Sequence, residues 1–156
     1  MATIALETYV SGTRELAAAG IYGALGLQRG GDATKTFRAG VFARDVLITL
    51  GDSDVKPSLV RIPIAWRVPN SIAFPRFQGF FEIREGPNAL VSIALLGYYH
   101  PPFGAAGVAF DAVAGHRIAN ATVQQLLNDV ANAVEGVRSR GASARLSEEP
   151  HGCYNI

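Results

Sequence analysis

The chain has 156 residues and a net charge of +1, with its Lys and Arg residues scattered among Asp and Glu. This length fits one domain of ordinary size, and the lack of a basic stripe argues against a nucleic-acid binder. The single cysteine forms no intramolecular disulfide, and the three histidines, His100, His116 and His151, lie too far apart in sequence for a zinc motif. No metal is therefore predicted.

The sequence also bears on localisation and cofactors. Its first ten residues lack the basic and long apolar regions of a secretory signal, and the longest apolar run, residues 89–99, is too short to cross a bilayer as a helix. We expect a cytoplasmic protein without membrane insertion. The glycine-rich residues 20–26 and 30–32 match neither a dinucleotide fingerprint nor a phosphate loop, so no cofactor is predicted.

The N-terminal third of the chain gives the weakest pattern. Residues 3–10 alternate loosely between apolar and polar types, which predicts a first strand. Ser11, Gly12 and Thr13 offer an N-cap for a short helix over residues 14–19. The glycines between residues 20 and 33 disfavour a helix, and this stretch receives no assignment.

Four strands are predicted next, at residues 42–50, 59–68, 74–84 and 90–99, with short turns rich in Gly, Pro, Asn and Asp between them. Such spacing is typical of an antiparallel meander. Because successive side chains alternate between faces, the second and third of these strands have one apolar face: Ile62, Ile64, Trp66, Val68, Phe77, Gly79, Phe81 and Ile83. The opposite face is mostly charged, which indicates one buried and one solvated side.

The last predicted strand is apolar on both faces. Leu90, Ala94, Leu96 and Tyr98 would lie on the outer side of the sheet, near Phe80. Two interpretations remain open, partial exposure of these side chains or a homodimer formed through this face.

A long C-terminal helix is predicted over residues 104–138. Its apolar stripe consists of Val123, Leu127, Val130, Val134 and Val137. Residues 139–156 are polar and rich in turn formers, so a disordered tail is expected after a single domain at residues 1–138. The predicted fold class is α+β, with a curved antiparallel sheet around the long helix.

One stretch of sequence carries a resemblance to a known family. It runs from Phe74-Pro75 and Gly79 through Gly97-Tyr98-Tyr99-His100-Pro101-Pro102-Phe103-Gly104 to Gly107, Asp111 and His116-Arg117-Ile118-Ala119. This pattern resembles a bacterial branch of the START-like, or SRPBCC (polyketide cyclase/dehydrase-like), superfamily, over residues 44–138. The resemblance implies the helix-grip fold, in which an apolar cavity lies between sheet and helix. The chain departs from the family where two helices should follow the first strand.

Six residues are predicted to bind a ligand: Trp66, Phe77, Phe81, Tyr99, Phe110 and His116. The strand aromatics are expected on the inner face, where they could form either plain core or the wall of a cavity. His116 lies seven residues before Val123, which places it on the apolar stripe of the helix. There it would be a core histidine or a polar group in the cavity.

Three functions compete on this basis. The first is binding of a small hydrophobic or aromatic molecule between the sheet and the helix. The second is an enzyme of cyclase or dehydratase type, with His116, Tyr99 and Arg44 or Asp111 as acid–base groups. The third is a non-enzymatic interaction module that uses the outer sheet face. Fold analogy alone does not choose among them.

Overall fold

The computed structural model describes residues 2–39, 42–71, 74, 76–100 and 115–146; for residues 2, 39, 42, 115, 116, 118 and 141–146 it describes the backbone alone. The architecture is α+β, a strongly curled antiparallel sheet with a long C-terminal helix packed against it. The strands are β1 (Ala2–Ser11), β2 (Gly31–Ala39), β3 (Phe42–Leu50), β4 (Asp54–Lys56), β5 (Leu59–Arg67), β6 (Arg76–Glu85) and β7 (Leu90–His100). The helices are α1 (Arg14–Gly23) and α2 (Gly115–Leu146).

The strands join in the order β1-β7-β6-β5-β3-β2, and β4 pairs with β5 beside this path. Every pairing is antiparallel. The predicted first strand and the four strands after it are confirmed, each with ends within two residues of the expected positions. Strands β2 and β4 are additions that the sequence pattern did not predict.

Helix α1 closes one end of the curled sheet. Its N-cap is Thr13, whose hydroxyl accepts a hydrogen bond from the Leu16 amide at 3.2 Å. The Arg14 guanidinium donates to the Pro57 carbonyl at 2.8 Å, and the Tyr22 hydroxyl donates to the Gly51 carbonyl at 2.9 Å. These two bonds fix α1 at the end of the sheet where β3 finishes and β5 begins.

Helix α2 supplies the other side of the core. Its buried residues follow the predicted stripe but form a wider band: Ala119, Thr122, Val123, Leu126, Leu127, Val130 and Val134. Val137, the last residue of the predicted stripe, is 37% exposed. The helix continues to Leu146, beyond the expected end at Arg138, and residues 147–156 of the expected tail lie outside the described residues.

The edge strand β2 is tied to α2 by polar contacts. The Lys35 ammonium lies 2.9 Å from an Asp129 carboxylate oxygen, and the backbone amide of Arg38 donates to the Gln125 side-chain oxygen at 3.3 Å. An inward-pointing charge and a covered edge amide both protect an edge strand from pairing with other chains. These contacts also hold the sheet curled toward the helix.

A pair of glycines lies at the centre of the curl. Gly79 on β6 and Gly97 on β7 are direct partners in the strand register. A Cβ on Gly97 would lie 2.5 Å from the Gln78 carbonyl oxygen and 2.8 Å from the Gly79 Cα, and a Cβ on Gly79 would collide with the Leu96 carbonyl oxygen. The two backbones therefore approach more closely than strands with side chains allow, which lets the sheet bend at this point.

Candidate functional site

Three of the predicted ligand-binding residues form one row on the concave face of the sheet. Trp66 on β5 pairs with Phe77 on β6, and Phe77 pairs with Tyr99 on β7. Their exposed fractions are 5%, 2% and 2% respectively. Period-2 alternation brings each side chain to the same face, and the antiparallel register then brings the three strands' aromatics side by side. We refer to Trp66, Phe77 and Tyr99 as the aromatic row.

Two rings of the aromatic row are stacked. The Trp66 and Phe77 rings are nearly parallel, with centroids 3.9 Å apart and an interplanar angle of 12°. Phe37 on β2 adds a tilted contact with Trp66 at 6.5 Å between centroids. Aromatic pairs at such separations contribute roughly 0.5–1.5 kcal/mol beyond the area they bury. The result is a buried apolar wall of three contacting rings, supplied by β2, β5 and β6.

Phe37 is the member of this wall that the sequence did not reveal. It lies on β2, a strand hidden by the preceding glycines and by Lys35, which points inward and breaks the apolar alternation. The buried Phe37 side chain shares its face with Ala33 and Lys35. A search for apolar residues at every second position, with one inward lysine allowed, would have identified Phe37.

Phe81 is buried on the same face but belongs to a different part of it. Its register partners are Ile62 and Leu95, so the row of Gly79 and Gly97 separates it from the aromatic row. Its exposed fraction is 0%, and its surroundings are aliphatic. Phe81 therefore packs in the centre of the core, away from the Trp66–Phe77 stack.

The two ends of the concave face differ in how they are covered. At the end where β5 begins, α1 packs over the sheet, and Gly20 lets α1 approach the backbone of Val134 on α2. The aromatic row lies at the opposite end, where β5 finishes and β7 leads into residues 101–114. Next to Phe37, the Arg38 amide on β2 donates to the Gln125 side-chain oxygen on α2 at 3.3 Å, so α2 packs close to this end of the sheet. The sheet and α2 are thus the described elements that bound the aromatic end.

The remaining predicted site residues lie either outside the described side chains or outside the core. Phe110 and Asp111 lie outside the described residues, and His116 is described only as backbone in the first turn of α2. Arg44 has the strand parity of the buried Val46, yet it is exposed and its guanidinium donates to the carbonyl of Ala43 at 2.9 Å. Arg44 therefore reaches solvent from the end of its strand and does not enter the core.

On the outer face, Glu82 is a buried carboxylate held between two arginines. Its side chain is 7% exposed, with one oxygen 2.6 Å from Arg61 and the other 2.7 Å from Arg84. Burial raises the pKa of Glu82, but hydrogen bonds and charges from Arg61 and Arg84 together outweigh burial and leave that pKa below its ordinary value. Arg61 also lies over the Phe80 ring, 4.6 Å from its centroid. The carboxylate is saturated by these contacts, which is the arrangement of a structural ion pair.

An apolar row crosses the outer face beside this ion pair. The strand register aligns Ala5, Leu96, Phe80 and Pro63 across β1, β7, β6 and β5. Tyr98, next to this row on β7, is 52% exposed. A shallow depression of about 300 Å³ adjoins the row, with Ala94 and Ser92 among its lining residues. Outer-face exposure of Tyr98 and half-burial of Leu96 and Phe80 follow the predicted strand parity.

Membrane-spanning helices and metal-binding clusters are both absent from the described residues. No helix of the described ranges combines the length and apolar character that crossing a membrane requires. Nor do His, Cys, Asp and Glu side chains of those ranges gather in groups that could hold a metal ion.

Comparison with known proteins identifies the fold and no more. No protein-family model matches the chain, and no curated protein matches it. Among solved structures, the chain is similar to the hypothetical protein jhp0584 from Helicobacter pylori, with a TM-score of 0.51, 12% identity, and coverage of 84% of this chain and 86% of that chain. It is also similar to TTHA0849 from Thermus thermophilus, with a TM-score of 0.50, 13% identity, and coverage of 87% of this chain and 99% of that chain. At these identities the likeness establishes a shared fold, a curled antiparallel sheet with a C-terminal helix, which is compatible with the helix-grip fold.

Proposed function

We propose that this protein binds a small hydrophobic or aromatic molecule at the aromatic end of the concave face, between the sheet and α2. The observation that carries the proposal is the grouping of Trp66, Phe77, Tyr99 and Phe37 at the one end of the face that α1 does not cover. Ligand sites are mostly apolar and aromatic concavities of this kind. The proposal carries with it the helix-grip assignment within the START-like superfamily.

The chemistry of the wall restricts the ligand. Trp66, Phe77 and Phe37 belong to the buried hydrophobic core of the described residues, and a charged group placed among their rings would lose its hydration. Flat aromatic faces favour planar partners in offset or parallel contact. The ligand class is therefore a planar, largely uncharged molecule.

Native mass spectrometry tests this proposal with a probe of known identity. The protein is incubated with N-phenyl-1-naphthylamine, an uncharged aromatic dye, and its native mass is compared with its denatured mass. We expect a complex with one dye molecule that disappears on denaturation. A bare protein mass at dye concentrations up to the solubility limit of the dye would overturn the proposal.

Neighbouring tyrosines on β7 provide a matched control. Tyr99 is buried in the aromatic row, whereas Tyr98 points outward and is half exposed. Tyr99→Leu is expected to reduce the occupancy of the dye complex several-fold, while Tyr98→Leu leaves it unchanged. Equal losses in both variants would contradict a site on the concave face.

A second candidate function is favoured by the outer face. The apolar row of Ala5, Leu96, Phe80 and Pro63 is flanked on one side by a row that carries charges of both signs, Glu7, Glu82 and Arg61. A second copy of this chain presents the same row and the same balanced charges, so it is the partner whose surface matches. On this candidate the chain is a homodimer through its outer sheet face.

Light scattering on dilute protein tests the homodimer. Leu96→Glu places a charge in the middle of the apolar row and is expected to convert a dimer to a monomer. Val55→Glu is the control, because Val55 is an exposed apolar residue on β4, outside the row. A wild-type monomer at every concentration would exclude this candidate and leave ligand binding untouched.

A further inference from the structure

The floor of the concave face has a gap in its side chains beside the aromatic row. Gly97 and Gly79 are register partners, and the next residues along this row are Ile4 on β1 and Ile64 on β5. Both isoleucines are buried, so they bound the gap at its two ends. Between them lies backbone without side chains, a strip about two strands wide, or roughly 10 Å. We call this the glycine floor.

The Phe77 ring covers the Gly97 part of the glycine floor. Its Cζ atom lies 2.5 Å from the position that a Cβ on Gly97 would take, so the ring leans diagonally from its own row onto Gly97. Its other neighbour is the Trp66 ring, nearly parallel at 3.9 Å between centroids. The place beside Trp66 and above the glycines is therefore shaped for one flat six-membered ring, and in this structure a side chain of the protein occupies it.

In a strand, an aromatic side chain has more than one common rotamer, and a rotation about χ1 is the change that would carry the Phe77 ring off Gly97. The floor consists of two strands in close backbone contact, which resist rearrangement. An apolar space vacated in this way stays dry and accepts aromatic hydrocarbons of matching size.

We infer that Phe77 is a displaceable plug: a planar, uncharged ring of the ligand takes its place on the glycine floor and stacks on Trp66. This inference rests on the proposed function and narrows it. Trp66 is the stacking platform, Gly79 and Gly97 set the thickness of the slot, and Phe77 competes with the ligand for it. Competition by an internal group lowers the apparent affinity in proportion to the fraction of molecules with the slot filled.

Shortening a residue that lines a site usually weakens binding, and Phe77 is expected to do the opposite. Shortening Phe77 removes the competitor, so Phe77→Leu is expected to bind a planar probe about tenfold more tightly than the wild type. Phe81→Leu is the matched control, since Phe81 is equally buried on the same strand and face but stands beyond the glycine floor. Its affinity for the probe is expected to equal that of the wild type.

Isothermal titration calorimetry with 2-naphthol and its saturated counterpart decahydro-2-naphthol tests the slot. We expect both the wild type and Phe77→Leu to prefer the planar alcohol, and Phe77→Leu to bind it more tightly. Phe77→Met, which replaces the rigid ring by a smaller and flexible chain, takes the place of Phe77→Leu if the latter unfolds on circular dichroism. Tighter binding by the wild type than by these variants would show that Phe77 is a platform and would overturn the plug. No binding of either alcohol or of the naphthylamine dye to any of these proteins would instead overturn the proposed function.

Discussion

Gly79 and Gly97 face each other across β6 and β7, with no room for a Cβ on either residue. The contact requires glycine at both positions, because only glycine allows the backbones of two neighbouring strands to approach this closely. It also leaves bare the part of the concave face onto which the Phe77 ring leans. The same two glycines thus allow both the curvature of the sheet and the slot beside Trp66.

Gly97→Ala is expected to lower the free energy of unfolding by about 2–4 kcal/mol, because the new methyl group meets backbone atoms that cannot yield. Urea denaturation at pH 7 measures the change. Gly136→Ala is the control: it lies within α2, an added Cβ would meet nothing within 4 Å, and the substitution should raise the free energy of unfolding by up to about 1 kcal/mol. A loss below about 1 kcal/mol for Gly97→Ala would mean that the strands separate easily and that the glycine floor is not rigid.

Gly20→Ala tests the contact between the two helices. Its methyl group would collide with the Val134 side chain, so we expect a loss of about 1–3 kcal/mol in the free energy of unfolding. Val134→Ala opens space at the same point, and the double variant should recover about 1 kcal/mol relative to the sum of the single changes. Strict additivity in this double-mutant cycle would contradict direct packing of Gly20 on Val134.

Glu82 gives the fold a dependence on pH. Its pKa in the folded protein lies below its ordinary value, so the ionised carboxylate stabilises the fold above the unfolded pKa of about 4.3. This contribution is lost as the pH falls through the lower, folded pKa. Glu82→Gln is expected to cost about 1–3 kcal/mol at pH 7, because it deprives Arg61 and Arg84 of their partner.

Urea denaturation of wild type and Glu82→Gln, at pH 7 and again below pH 4, checks this prediction. The difference between the two proteins should be smaller at the lower pH, because the stabilisation from the ionised carboxylate is progressively lost as the pH falls from the unfolded toward the folded pKa. Glu85→Gln, an exposed glutamate on the same strand, should match the wild type at both values. A difference that stays constant with pH would mean that the carboxylate charge contributes nothing.

Local pattern predicted much of the sheet because the apolar residues of its central strands recur at every second position. Ile62, Ile64 and Trp66 lie on the buried side as their parity requires, and Tyr98 and Tyr99 lie on opposite faces as expected. Strand β2 was missed because Lys35 points inward to reach Asp129, a partner that is distant in sequence. Helix α2 runs past Arg138 over residues 139–146, which have no apolar stripe and in which Ala and Arg favour a helix although Gly141 does not.

The site was predictable only in part, for a similar reason. Parity placed Trp66, Phe77 and Tyr99 on one face, but their meeting in one row depends on the register of three strands. The same register separates Phe81 from them. The role of Gly97 was not visible, since its significance comes from the Phe77 ring on the neighbouring strand. The predicted roles of Phe110 and His116 remain predictions.

The chain has a single tryptophan, Trp66, and it lies within the proposed site. Energy transfer from Trp66 to bound N-phenyl-1-naphthylamine therefore tests the central claim most directly. We predict saturable transfer at a ratio of one dye per chain, reversed by an excess of 2-naphthol. Dye that binds without quenching the emission of Trp66, or that 2-naphthol does not displace, would contradict a ligand site at the aromatic end of the concave face.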